Sequence, residues 1–298
     1  MNKLSLRQYE VRNHLRSIFL LAGMVVLLSL IGWLLAGVSG MVGSLLVGIF
    51  VFISAPRFTS QLILRLIRAE FIRPEDAPRL YEVISMLSER AEIKKIPILY
   101  YVPSSVINAF TTMLNENAVI VLSDGMLRQL NIREVTGVLA HEISHISSND
   151  LFVMLVADIM SRLTSVMSFT GYVLILIYIP QFIFMDIRVP WMLLIVLIMA
   201  PTFSLLMQLA LSRVHEFNAD IEAVKLTGDP LGLVSALEKI EYYQGAGWVE
   251  RVFIPYRRMR EPILFRSHPL IVERVKRLKE LASQVQLTEY NGRLLLKK

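Results

Sequence analysis

The chain of 298 residues has no cysteine, which excludes disulfides and removes thiolate as a metal ligand, leaving histidine and carboxylate. Charge is scarce. Charged residues make up 19% of the chain and hydrophobic ones 54%, where a soluble enzyme has about 25% and about 45–50%. That balance excludes an ordinary soluble enzyme and points to a membrane. Neither an RNA-binding motif nor zinc-finger spacing is present, so the net charge of +6 suits a membrane surface and gives no reason to expect nucleic acid. No ionisable residue stands near the middle of the apolar spans, which argues against a transporter or channel. Internal repeats and low-complexity segments are absent as well.

What is there begins with long uncharged runs. From Ser17 to Pro56 no residue is charged, and only Gly37-Val38-Ser39-Gly40 interrupts the run with a turn signal. Each half approaches the roughly 20 apolar residues needed to cross a bilayer, which predicts a tight helical hairpin. A signal peptide would have an apolar stretch of only about 7–15 residues, with no second span directly behind it. Leu163 to Met185 and Val189 to Ser212 are uncharged too, with Asp186 and Arg188 between them. Lys3, Arg7, Arg12 and Arg16 precede the first span, and Arg57, Arg65, Arg68 and Arg73 follow the second. The positive-inside rule then puts both termini and the segment between spans two and three in the cytoplasm. Arg257, Arg258 and Arg260 are placed to meet anionic lipid.

Between spans two and three, Glu82 to Ile93 reads as helix, and Ile96 to Val102, Ala109 to Met113 and Ala118 to Leu122 read as short strands. The last two are joined by Leu-Asn-Glu-Asn. Ala118 to Leu122, with Val119 and Ile120 at its centre, is the expected edge for pairing with a substrate strand. After Ser212 the chain reads as helical, except for a loop from Gly245 to Phe265.

The chemistry concentrates in Ala-His-Glu-Ile-Ser-His, where His141, Glu142 and His145 form the H-E-x-x-H pattern. Residues four apart share a helix face, so both imidazoles reach one metal ion, while Glu142 stands beside its open position as a base. Asn131 and Glu134 read as a capping box, and Val135, Val138, Leu139, Ile143 and Ile146 give the helix an apolar stripe. A catalytic site needs a third ligand. Glu216 in Arg-Val-His-Glu-Phe-Asn-Ala-Asp is the best candidate, because two crossings return it to the membrane face of His145. Asp220, one turn on, can accept the second ring N–H of a ligand histidine. His215 points elsewhere on that helix and reads as structural. Asp158 and Arg162, four apart, read as a local ion pair.

Taken together, the H-E-x-x-H segment, Asn149-Asp150 and Glu216-x-x-Ala219-Asp220 resemble the HtpX family of membrane-bound zinc metalloproteases, relatives of the CAAX prenyl endopeptidases. The resemblance extends to Asn108-Ala109-Phe110, to Lys225-Leu-Thr-Gly-Asp-Pro and to Ser267-His268-Pro269, covering essentially the whole chain. Leu270 departs from it, where the family commonly has a second proline. The resemblance implies peptide-bond hydrolysis with one zinc ion per chain, His268 contacting substrate or transition state, and Asn108 touching substrate. It also implies quality control of misfolded or damaged membrane proteins as the role. Processing of lipidated peptides is the enzymatic alternative, and a silent scaffold is disfavoured by the intact ligand set.

The expected fold is an α-helical integral membrane protein of the bacterial cytoplasmic (inner) membrane, with four transmembrane helices. A mainly helical cytoplasmic zinc-protease domain carries a small β-sheet. Its parts are a tail over residues 1–16, a transmembrane hairpin over 17–56, and a first cytoplasmic part over 57–150. An interfacial helix with spans three and four covers 151–212, and a second cytoplasmic part covers 213–298. Expected partners are the lipid bilayer and peptide or membrane-protein substrates.

Overall fold

Gly37 breaks the first apolar run. In the computed structural model, which describes residues 3–114, 117–184, 191–253 and 271–295, helix α1 (Lys3–Leu66) leaves helical geometry at Ala36 and Gly37. Gly37 has φ 62° and ψ −147°, a region open to glycine and costly for other residues. The chain folds back there. A Cβ added to Gly40 would stand 2.1 Å from the Gly32 carbonyl oxygen, and the Cβ position of Gly48 lies 3.9 Å from the Leu28 side chain. The two arms therefore lie side by side, two helical stretches joined directly through Ala36 and Gly37 with no longer loop between them.

The chain divides into two compact units, one of residues 9–56 and 152–214, the other of residues 1–8, 57–151 and 215–298. The first unit holds most of the apolar helix. Among the described residues three helices, not four separate ones, are long and apolar enough to cross a membrane: Arg12–Ile53, Asp150–Pro180 and Trp191–Thr227. The bend at Gly37 accounts for the difference. Within this unit Met24, Ala157 and Leu211 pack together, as do Ile31, Leu197 and Ala200. Tyr172 donates a 2.6 Å hydrogen bond to the Leu197 carbonyl, and Asp158 pairs with Arg162 at 2.7 Å as their spacing predicts.

The second unit begins with strand β1 (Glu70–Phe71) and helix α2 (Pro78–Arg90), followed by β2 (Ile98–Val102), β3 (Ala109–Leu114) and β4 (Asn117–Ser123). The sheet order is β1-β2-β4-β3, with β2 and β4 parallel and the other pairs antiparallel. Period-two alternation gives β4 two apolar faces. Val119 and Val121 pack with Leu64, while Ile120 and Leu122 join the main core.

Next come α3 (Asp124–Gln129) and α4 (Ile132–Ser147). The capping box forms: Asn131 accepts from the Glu134 N–H at 3.0 Å, and Glu134 accepts from the Asn131 N–H at 2.8 Å. Val135, Val138, Leu139 and Ile143 seat α4 in the core. Helices α5 (Asp150–Phe184), α6 (Trp191–Thr227), α7 (Pro230–Phe253) and α8 (Ile271–Leu295) complete the chain. Gly137 lets α7 approach closely, since a Cβ there would stand 2.9 Å from the Leu233 nitrogen. Helix α7 runs on through Gly245 to Phe253, where a loop is expected from the sequence. Each interior glycine costs only about 1 kcal/mol, and after Pro230 no proline stands in the sequence before Pro255.

Candidate active site

Helix α4 presents His141 and His145 on one face, and α6 brings Glu216 against them. The two Nε2 atoms are 3.2 Å apart. Glu216 Oε2 lies 3.3 Å from His141 Nε2, and Oε1 lies 3.7 Å from His145 Nε2. A tetrahedral zinc ion with ligands at about 2.0–2.2 Å sets its donor atoms about 3.3–3.6 Å apart. The three side chains meet that spacing, and their donor atoms all fall within 4.8 Å of one another. His141 and Glu216 are buried, so few waters compete for these donors.

The other ring nitrogens are held from behind. His141 Nδ1 is 3.1 Å from Asp220 Oδ1, and His145 Nδ1 is 2.9 Å from Asp150 Oδ2. Donation of Nδ1–H to a carboxylate leaves Nε2 as the lone-pair side, the arrangement typical of metal-binding histidines. Asp150 lies five residues after His145, off that face of a continuous helix. Asn149 brings it back by taking a left-handed conformation, φ 55°, between α4 and α5.

Arg274 on α8 completes the cluster. Its Nε and Nη2 contact the two oxygens of Asp220 at 2.8 and 2.6 Å, and its Nη1 is 2.8 Å from Glu216 Oε2. The guanidinium is 3% exposed, and only such pairing makes a buried charge tolerable. Asp220 and Glu216 raise its pKa further, against the effect of burial. At His141, burial and the Arg274 charge oppose protonation, yet hydrogen bonds to Asp220 and Glu216 prevail and raise the pKa to about 9. A metal ion binding there has to displace that proton.

Residues 74–282 match the profile of Peptidase family M48. The chain belongs to peptidase family M48. A protease HtpX homolog of Acaryochloris marina is 33% identical over 268 residues, covering 85% of this chain and 89% of that protein. Another, of Thermococcus sibiricus, is 31% identical over 286 residues, covering 91% and 97%. The fold is similar to the crystal structure of S. mikatae Ste24p, with a TM-score of 0.51 at 21% identity over 91% of this chain and 66% of that one. Family membership, three membrane-length apolar helices and the His-His-Glu group together make this chain a membrane metalloprotease.

The remaining residues expected at the site from the sequence fall into place unevenly. Glu142 is buried beside the ligands and accepts a 2.7 Å hydrogen bond from Thr111 Oγ1 on β3. Asn108, just before β3, is partly buried, and its backbone exchanges hydrogen bonds with Ser123. Val119 and Ile120 do not form an edge. They are fully buried in β4, which pairs with β2 on one side and β3 on the other, so β3 is the end strand. The parallel β2–β4 pairing crosses over from a strand distant in sequence, which local alternation does not reveal. His268 lies outside the described residues, as do Arg257, Arg258 and Arg260. Asp150 is part of the Asn149-Asp150 motif, which gives no role for it, and Arg274 carries no sequence signal.

Proposed function

We propose that this chain is a zinc-dependent endopeptidase that holds one ion through His141, His145 and Glu216. The observation that carries the reading is the spacing of the three donor atoms, close to the edges of a tetrahedron, with both Nδ1 atoms turned onto carboxylates. A zinc ion bound there polarises the scissile carbonyl and lowers the pKa of a water toward about 7. Glu142 takes the proton of the attacking water and delivers it to the leaving amine, a contribution of about 10²–10⁴-fold in rate. With Oε2 engaged by Thr111, Oε1 is the atom for that transfer. Asp220 and Asp150 fix the ligand histidines, Asn108 touches substrate, and His268 contacts substrate or transition state. Substrate pairs as a strand with β3, the end strand that also carries Thr111.

In this reading the two arms of α1 count as separate crossings, giving four in all. The basic residues flanking the first two support a reading in which the termini and the site lie on the cytoplasmic side of the inner membrane. The substrates are misfolded or damaged membrane proteins. Expressing Glu142→Gln in its native membrane and identifying what co-purifies tests this. Enrichment of unassembled membrane proteins is expected, whereas capture of lipidated soluble peptides alone would replace quality control by processing.

A further inference from the structure

Asp150 accepts hydrogen bonds from two histidines. His145 Nδ1 lies 2.9 Å from Oδ2, and His215 Nδ1 lies 2.6 Å from Oδ1. Asp150 is 3% exposed and His215 8%, so both contacts are shielded from water. His215 is a residue that helical spacing assigns to packing, since it faces away from the Glu216 carboxylate.

We propose that His215 is a positioning residue for the metal centre, holding Asp150 so that Asp150 holds His145. The inference rests on His141, His145 and Glu216 forming the metal site. A carboxylate turns easily about its terminal bond, whose energy profile is broad and roughly two-fold. One hydrogen bond to one oxygen leaves that rotation free. A second bond on the other oxygen fixes the carboxylate plane, and with it the direction of the His145 Nδ1–H and the aim of Nε2.

The other ligand histidine is built in the same way. His141 rests on Asp220, and Asp220 is held on both oxygens by Arg274. Each ligand histidine thus has a carboxylate behind it, and each carboxylate has its own clamp. The clamps differ in chemistry: a buried guanidinium on α8 for one, a buried imidazole on α6 for the other. His215 also immediately precedes Glu216. One turn of α6 therefore supplies the third ligand and, through Asp150, fixes the second, so the relative placement of the donors is set before an ion arrives.

The test uses the full chain purified in detergent and stripped of metal, as wild type, His215→Ala and His215→Asn. Asparagine can offer its side-chain N–H near the place of Nδ1. Zinc affinity is measured by chelator competition, and ligand geometry by the visible absorption of the cobalt(II)-substituted protein. His215→Ala should bind zinc about 10–100-fold more weakly, the usual loss for a group behind a metal ligand, and its cobalt spectrum should change shape. His215→Asn should stay closer to wild type on both counts, and the thermal unfolding of the metal-free forms should be alike. Wild-type affinity and spectrum in His215→Ala would overturn the proposal. So would equal losses in Ala and Asn accompanied by a lower metal-free melting temperature, which would mark His215 as packing only. If wild type binds no zinc, or Glu216→Ala keeps it all, the metal reading itself falls and the role of His215 falls with it.

Discussion

Thr111 Oγ1 donates to Glu142 Oε2 at 2.7 Å, so this buried carboxylate is steered from a strand and not from its own helix. Removing the donor while keeping the shape, Thr111→Val, should lower kcat about 10–100-fold, in line with about 1.5–3 kcal/mol for a hydrogen bond to a charged group. Thr111→Ser should recover most of it. Glu142→Gln should abolish cleavage of a loosely folded protein substrate yet retain stoichiometric zinc. Loss of zinc from Glu142→Gln would make it a ligand, and unchanged kcat in Thr111→Val would leave the contact without a catalytic role.

Glu216→Ala should release the metal, since it removes one of three protein donors. Asp220→Ala and Asp150→Ala should be milder, about 10–100-fold in affinity, because each leaves the donors in place and frees only their orientation. Zinc content after dialysis gives the ranking. Full retention by Glu216→Ala would call for another third ligand.

Glu134 predicts a pH dependence outside the site. Burial opposes its ionisation, but hydrogen bonds from Lys239, Ser235 and the Asn131 backbone prevail and hold its pKa below the ordinary 4.5. A carboxylate depressed by folding adds stability that is fully present above its unfolded pKa and is lost as pH falls through the folded one. Melting temperature should therefore decline below about pH 4.5. Glu134→Gln should be less stable at pH 7, by about 1–3 kcal/mol, and show a smaller decline in acid. Parallel curves for the two proteins would remove Glu134 from the account.

The absence of cysteine makes the membrane arrangement directly testable. Single cysteines at Ser39 and Asp186 should react with an impermeant maleimide from outside, and those at Asn115 and Gln244 only after lysis. Labelling of Asn115 and Gln244 from opposite sides would mean that span three or four does not cross, and His145 and Glu216 could then share no ion.

Local patterns carried much of this structure. The capping box of α4, its apolar stripe and the helical spacing of His141 and His145 are all short-range, and the β3–β4 pairing across Leu114 and Asn117 follows from the hairpin signal. Glu216, which the sequence singles out, does group with His141 and His145. Strand order was not legible, because β4 lies between β3 and the more distant β2, and only the sheet shows that both its edges are used. Asp150 escaped because its approach to His145 depends on one left-handed residue, Asn149. Arg274 escaped because nothing about an arginine in an amphipathic helix announces that it will be buried against Asp220.

The position of Arg274 also sets a time order. The guanidinium that balances Asp220 and Glu216 belongs to α8, so it leaves the ribosome after every other residue described at the site. A nascent chain ending before Ile271 carries the histidines and both carboxylates but not the cation that draws the carboxylates together. Such a chain should bind zinc loosely and cut nothing, which an arrested translation product stopped there can show. By that order the segments that form the apolar helices and the sheet are all synthesised before the residue that balances Asp220 and Glu216.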